Sequence, residues 1–475
     1  MARRITIEPV TRIEGHAKIV LELDEAGCVS DAKFHVVEFR GFEKFVEGRH
    51  FSEMPTVTSR ICGICPVSHH LAAAKAADAL VGATPPRPAE LLRRLMHKGQ
   101  IIQSHALSFF HLSSPDILLG FDAPPGVRNV FGLLAEKPEI ARRGIALRKF
   151  GQEIIEAVGG RKIHPDVCVP GGMNRALSTD DRDRLRGGLD AAMETAELGL
   201  TLFRDFCEAN ADLVAAFAVF PSNYMSLVDP DGRLEMYDGM LRVADAEGEP
   251  LEDLWRPEDY LSLIAEVTED WSYLKFPFYR PLGYPEGSYR VGPLGRMNAA
   301  SGVPTPRAHA EWVAFRDLAG GRPVEGSMYY HWARMIEIIY AIERAAEFLD
   351  APAIIGRDLI AETGEMRGEG VGVIEAPRGT LFHHYHVAPD GSVSKANFIV
   401  ATGNNNHAMN RAVLEVARLY VDGERLAEGM LNRVEAAIRC YDPCLSCSTH
   451  AAGSMPLYIE LRGPQGGLLD SVRRG

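Results

Sequence analysis

Two pairs of cysteines near opposite ends of the chain, Cys62-Gly-Ile-Cys65 and Cys444-Leu-Ser-Cys447, restrict the possible folds more than any other feature of the sequence. Two residues between cysteines, with Gly63 or Pro443 beside one of them, let a tight turn aim both sulfurs at one ion. A histidine follows each pair, His69 and His450. Four thiolates on one soft or borderline metal is the direct reading. Spacing alone leaves a structural zinc ion and a four-cysteine iron–sulfur cluster both open. A zinc ribbon usually closes a short loop, whereas almost the whole chain lies between these two pairs. The fold must therefore bring its two ends together.

Five of the eight cysteines fall in the clusters Cys62/Cys65 and Cys440/Cys444/Cys447, which in a reducing compartment points to metal or redox chemistry before disulfides. Cys28, Cys168 and Cys207 lie apart and are expected to be small buried hydrophobes. The N-terminus MARRITIEPV has no apolar signal segment, and no run approaches the ~18 apolar residues of a membrane span, so a soluble cytoplasmic protein is expected. The net charge of −13 and the lack of a basic run make nucleic acid an unexpected partner.

The first ~45 residues alternate apolar and polar around an Asp-Glu-Ala-Gly turn, which predicts a small antiparallel sheet. Helical periodicity then predicts helices over His69–Leu80, Ala89–Leu112, Pro138–Val158, Thr179 to about Phe217, Ala308–Leu318 and Met328–Leu349, forming a bundle. β excursions are predicted at about 223–253 and 372–401, and helices again over Asn406–Leu419 and Glu424–Arg439. The expected fold class is α+β, mostly α. With no repeat or linker to mark a boundary, residues 1–450 are read as a single domain.

Further motifs accompany the cysteines in order: Thr11-Arg-Ile-Glu-Gly-His16, Arg40-Gly-Phe-Glu43 and Ala376-Pro-Arg-Gly379. Together with Arg60-x-Cys-Gly-x-Cys-x-x-x-His69 and Asp442-Pro-Cys-x-x-Cys-x-x-His450, they resemble the large subunits of nickel–iron hydrogenases over nearly the whole chain. The resemblance implies that family's fold, with a central helical bundle, small antiparallel sheets and both ends meeting at a nickel–iron centre. Cys62 and Cys444 would be terminal nickel ligands. Cys65 and Cys447 would bridge nickel to an iron carrying carbon monoxide and cyanide. Dihydrogen would be split heterolytically, a proton passing to Cys444 and on to Glu14, whose alternative reading is an exposed strand-end carboxylate. Arg378 would donate to a cyanide nitrogen with Pro377 packing beside it, and Thr402 would hydrogen bond a diatomic ligand. Glu43, His450 and a backbone carbonyl near Phe398 would bind magnesium, against the alternative that Glu43 is solvated in a charged run.

Where many family members carry an aspartate next to a histidine, this chain has Gln103-Ser104-His105, so that aspartate is not carried over. The QSH form, TRIEGHAKI, VPGGMNR and APRGTLFHHYHVA resemble the cytoplasmic, NAD-coupled branch. The resemblance further implies an iron–sulfur small subunit, diaphorase subunits holding flavin and NAD, nickel-insertion proteins, and a maturation endopeptidase that removes residues 451–475 after His450. No dinucleotide fingerprint occurs in the chain itself. The readings weighed against this one are the same chemistry coupled to NADP, a deazaflavin or another acceptor, a respiratory quinone-site subunit of shared ancestry that lacks the paired cysteines, and a zinc-stapled structural protein.

Overall fold

The structure is a computed structural model that describes residues 3–448, 457–462 and 468–474. The alternating N-terminal segment forms an antiparallel sheet of β1 (Arg3–Ile7), β2 (Ala17–Leu23) and β3 (Val29–Val36), with the Asp-Glu-Ala-Gly turn joining β2 to β3. The pattern does not stay extended to residue 45. Residues Phe42–Val46 make a short helix, and Glu43 sits in its buried first turn.

Helices make up most of the rest. The helix Arg87–Leu107 packs against both Pro138–Gly159 and Tyr330–Asp350, and the last of these packs against Leu189–Ala209. Two predicted helices are cut differently. The long stretch from Thr179 is three helices, Thr179–Arg186, Leu189–Ala209 and Ala211–Ala216, interrupted at Gly187-Gly188 and at Asn210. These residues weaken helix propagation, and three short helices turn more freely than one long rod. The segment expected to end at Leu112 passes through a π-helical turn, Ser108–Ser113, and runs on as Ser114–Leu119. Elsewhere the predicted ends shift by one to four residues, as in Pro66–Leu80, Pro306–Asp317, Asn406–Tyr420 and Glu428–Tyr441.

The first β excursion is a four-stranded sheet in the order Tyr289–Arg290, Asn223–Val228, Met240–Ala244, Pro250–Trp255, with only the first pair parallel. A two-stranded ribbon, Ile264–Val267 with Phe276–Tyr279, has no counterpart in the sequence reading; Pro277 within the second strand hides its signal. The second excursion gains a strand, giving Glu369–Ala376, Gly379–Val387 and Val393–Ile399, all antiparallel. This site sheet lies against the helix Pro66–Leu80. The approach is close enough that a Cβ on Gly372 would stand 2.0 Å from the Ala72 carbonyl oxygen, so only glycine fits there.

The largest apolar core draws on side chains from Ile7 to Cys447. Among the described residues, no helix is long and apolar enough to cross a membrane. Within the expected C-terminal extension, Leu457–Arg462 and Leu468–Arg474 pair as an antiparallel hairpin.

Candidate metal centre

Each cysteine pair sits where a helix begins. Cys62 is extended after a 3-10 turn, and Cys65 is the N-cap of the helix Pro66–Leu80, with Pro66 at the first helical position. The Ile64 and Cys65 backbone N–H groups donate to Cys62 Sγ at 3.1 and 3.4 Å. At the other end, the helix Glu428–Tyr441 stops at Asp442, whose left-handed backbone (φ 52°, ψ 53°) serves as its C-cap. Pro443 blocks continuation, and the single turn Leu445–Ser448 carries Cys447.

The two turns bring the sulfurs together. Cys62 and Cys444 are 3.1 Å apart, Cys65 and Cys447 are 3.3 Å apart, and Cys444 and Cys447 are 2.8 Å apart. All four lie within 4.8 Å of one another, buried and with no disulfide among them. Burial, with the sulfurs crowding one another, drives the Cys444 and Cys447 thiols well above the usual thiol range. Hydrogen bonds from Cys444, Cys447 and Cys65 hold Cys62 well below it. Four converged buried thiols ionise together only around a cation, so the donor set fits a soft, thiolate-bound metal.

Beside the sulfurs is a cavity of about 10 Å³, walled by Ala376, Pro377, Leu381, Val400 and Ala401 and reached by Arg378 and Thr402. Arg378 is 3% exposed. Its Nε donates to the Asp442 carbonyl, and its Nη1 is 3.5 Å from Ser104 Oγ. Its Nη2 lies 3.0 Å from Asp442 Oδ2 but out of line for a hydrogen bond, and both atoms are left unsatisfied. Burial opposes charge on this guanidinium, but Asp442 and the sulfurs of Cys444, Cys65 and Cys62 outweigh it and keep the group protonated. A buried, ion-paired guanidinium whose Nη2 still makes no hydrogen bond, at a wall shared with the thiolates, fits a small anionic ligand on a metal held by those thiolates. The Thr402 hydroxyl accepts from the Cys444 N–H at 3.0 Å, and so orients the cysteine turn.

Glu14 reaches the same place from the N-terminal sheet. Thr11 Oγ1 donates to Glu435 at 2.7 Å, while Arg12 and Arg439 share Asp116 at 2.6 and 2.5 Å, which locks this segment to the last long helix. Glu14 then pairs with Cys444 in a backbone bridge, and its carbonyl accepts from the Leu445 N–H at 3.2 Å. Its half-buried carboxylate accepts from the Ser446 N–H at 3.2 Å and from the Ser446 hydroxyl. Gly15 permits the approach. Its φ is 89°, and a Cβ there would stand 2.7 Å from Leu445 Cβ.

Residues 40–119 and 235–450 match the family model described as nickel-dependent hydrogenase, and residues 4–39 match one described as HoxL-like. The chain belongs to the nickel-dependent hydrogenase family. It is 46% identical over 491 residues to the beta subunit of the NAD-reducing hydrogenase HoxS of Cupriavidus necator, with 100% of both chains covered. It is 43% identical to one of the subunits of the F420-non-reducing hydrogenase of Methanothermobacter thermautotrophicus, over 95% of each. The crystal structure of an NAD+-reducing nickel–iron hydrogenase in the H2-reduced state superposes with a TM-score of 0.92 and 47% identity, covering 94% of this chain and 99% of that one. The fold is that of a nickel–iron hydrogenase large subunit, and the structural-zinc reading of the cysteines falls away.

Behind the Ala-Pro-Arg-Gly turn, the hydrogenase chain holds a buried ionic group that the sequence reading did not find. Arg296 donates to Glu337 through Nε at 2.6 Å and Nη2 at 2.7 Å, to Glu375 at 2.7 Å, and to the Ala376 and Pro377 carbonyls at 2.9 and 3.1 Å. Glu337 also meets His105 Nε2 at 2.7 Å, and Arg296, Glu337 and Glu375 are fully buried. Arg296 thereby props the two residues that precede Arg378. The available signal was a charge inside an apolar helix, Glu337 between Ile336 and Ile338.

The other expected site residues distribute as follows. Glu43 is 3% exposed rather than solvated; burial raises its pKa despite Lys275, whose Nζ is 3.6 Å away. It accepts from the Phe398 N–H at 2.9 Å, so the contact shown is with the amide nitrogen and not with a carbonyl. His450 lies outside the described residues. His69 lines the cavity beside the cysteines, and its Nδ1 meets His383 Nε2 at 3.0 Å. Of the lone cysteines, only Cys168 is buried; Cys207 is half-buried and Cys28 is exposed at the β2–β3 turn, where its N–H caps Asp24 at 2.8 Å. Cys440 is buried in the helix Glu428–Tyr441, outside the sulfur set.

Proposed function

We propose that this hydrogenase oxidises dihydrogen reversibly at Cys62, Cys65, Cys444 and Cys447 and sends the electrons to NAD through an iron–sulfur small subunit and diaphorase subunits. The observation that carries the reading is the buried four-sulfur set beside a buried guanidinium whose Nη2 makes no hydrogen bond, in a chain whose relatives include a subunit of an NAD-reducing hydrogenase. Bound there, a nickel–iron centre with carbon monoxide and cyanide on iron supplies two-electron redox chemistry and polarises dihydrogen toward heterolysis. The four thiolates hold it. Arg378 Nη2 would be the donor to a cyanide nitrogen, the Thr402 hydroxyl, which steadies the Cys444 turn, would be the donor to a diatomic ligand, and Pro377 and its apolar neighbours exclude water.

The proton released by heterolysis is received at Cys444 Sγ and handed to the Glu14 carboxylate, which the Ser446 N–H and hydroxyl hold against the cysteine turn. A Glu14→Gln variant keeps the shape and loses the proton acceptor. It is expected to retain nickel while deuterium exchange between gas and water falls by about 10²-fold or more. Unchanged exchange would remove Glu14 from the relay.

Magnesium is assigned to Glu43 with His450 and the Phe398 backbone; the buried Glu43 carboxylate supports this, with Lys275 as its competitor. Residues 451–475 are assigned as an extension cut off after His450 once nickel-insertion proteins have loaded the site, in a cytoplasmic, single-domain enzyme. The whole reading is tested on the purified complex by elemental analysis, intact mass and hydrogen-driven NAD reduction. Nickel and one non-cluster iron per chain, a chain ending at His450, and NAD reduction are expected. Activity with an artificial acceptor but none with NAD would shift the reading to another electron acceptor, and zinc without nickel would end it.

A further inference from the structure

The strand Gly379–Val387 turns His383 toward His69 and presents His384 and His386 on its other face, where Tyr260 packs against Phe382. Glu369, the first residue of the neighbouring strand, is paired in register with His386. Its Oε1 is 2.7 Å from His384 Nε2. The two imidazole rings lie 4.6 Å apart at 38°. One ligand atom from each of Glu369, His384 and His386 falls within 4.8 Å of the other two. None of the three lines the cysteine cavity.

The geometry points to a second metal site, a zinc ion held by His384, His386 and Glu369 with a water in the fourth tetrahedral position. Two imidazoles and one carboxylate form a donor set that zinc accepts at a site keeping one open position. Support for the ligands is already built. His384 is buried, and its Nδ1 meets the Tyr260 hydroxyl at 3.1 Å, which in turn accepts from Asn397 Nδ2 at 2.9 Å. This is the outer hydrogen bonding that fixes a metal-bound imidazole, leaving Nε2 for the ion. His386 is half-buried and Glu369 exposed, so an ion can enter from solvent. The opposing arrangement is a plain Glu369–His384 ion pair with Lys395 facing His386 across the sheet. In that arrangement His386 has no part.

A zinc ion there would clip the irregular stretch 356–368, which ends at Glu369, to the middle strand of the site sheet. The test uses the nickel-loaded complex, whose thiolates are already occupied, with zinc alone as probe in equilibrium dialysis. Wild type is expected to bind one zinc that His386→Ala does not, at equal nickel content and hydrogen uptake. Tyr260→Phe is expected to weaken that zinc by about 10–100-fold. If His386→Ala fails to assemble, Glu369→Gln at the exposed position replaces it and is expected to lose the same zinc. Equal zinc in wild type and variants, or none in wild type, overturns the site.

Discussion

Replacing Cys65 by serine is expected to yield protein with less than about a tenth of the wild-type nickel and no measurable hydrogen uptake. The serine hydroxyl is harder than a thiolate and stays protonated, so it removes one of four converged soft donors. Folding is not the confounder. Cys65 is an N-cap, serine is among the best N-cap residues, and the helix Pro66–Leu80 begins as before. Elemental analysis beside a gas-uptake assay separates the outcomes. Full nickel with lost activity would make Cys65 a tuning ligand and not a holding one, and full activity would remove the four-thiolate site.

The second large effect belongs to Arg296. Removing one partner of a buried ionic group leaves the others uncompensated, and Arg296→Met is expected to cost about 3–5 kcal/mol in denaturant unfolding. The pH dependence identifies the cause. Burial would raise the Glu337 carboxyl, but Arg296 and His105 more than reverse this, holding it at about 2 against an ordinary value of 4.5. Its contribution is therefore complete above about pH 4.5 and fades as pH falls toward 2. The gap between wild type and variant should be widest above pH 4.5 and narrow in acid. A gap that stays constant with pH would mean that Arg296 acts by packing alone. Because Arg296 also holds the Ala376 and Pro377 carbonyls, the variant should disturb Arg378, readable as shifted infrared bands of the diatomic ligands proposed for the iron.

The parts of the site that were legible in the sequence are those where chemistry is local. A CxxC turn, a Pro after a helix stop and an arginine between Pro377 and Gly379 carry their meaning within a few residues. Arg296, Glu337 and Glu375 are far apart in sequence; Arg296 and Glu375 read alone as ordinary surface charges and Glu337 as an isolated charge in an apolar helix, and only folding makes them one buried group. The solvated alternative for Glu43 arose for the same reason, since a run of charges looks exposed until the site sheet covers it. The π-helical turn at Ser108–Ser113 leaves no mark on helical periodicity long enough to read. Pro277 and the Gly187-Gly188 pair are local signals, but they decide between strand and loop, or between one helix and two, only with the neighbouring elements in place.

The sulfurs of Cys62 and Cys444 stand 3.1 Å apart although 382 positions separate them in the chain. A metal shared between them closes nearly the entire polypeptide into a ring, a constraint that a chain-entropy argument values at about 6 kcal/mol against the open unfolded chain. Such a ring tolerates a cut. A protease that nicks an exposed loop anywhere between the two cysteine pairs would leave both pieces joined through the metal. Chelation under denaturing conditions would then release two fragments from what had behaved as one molecule.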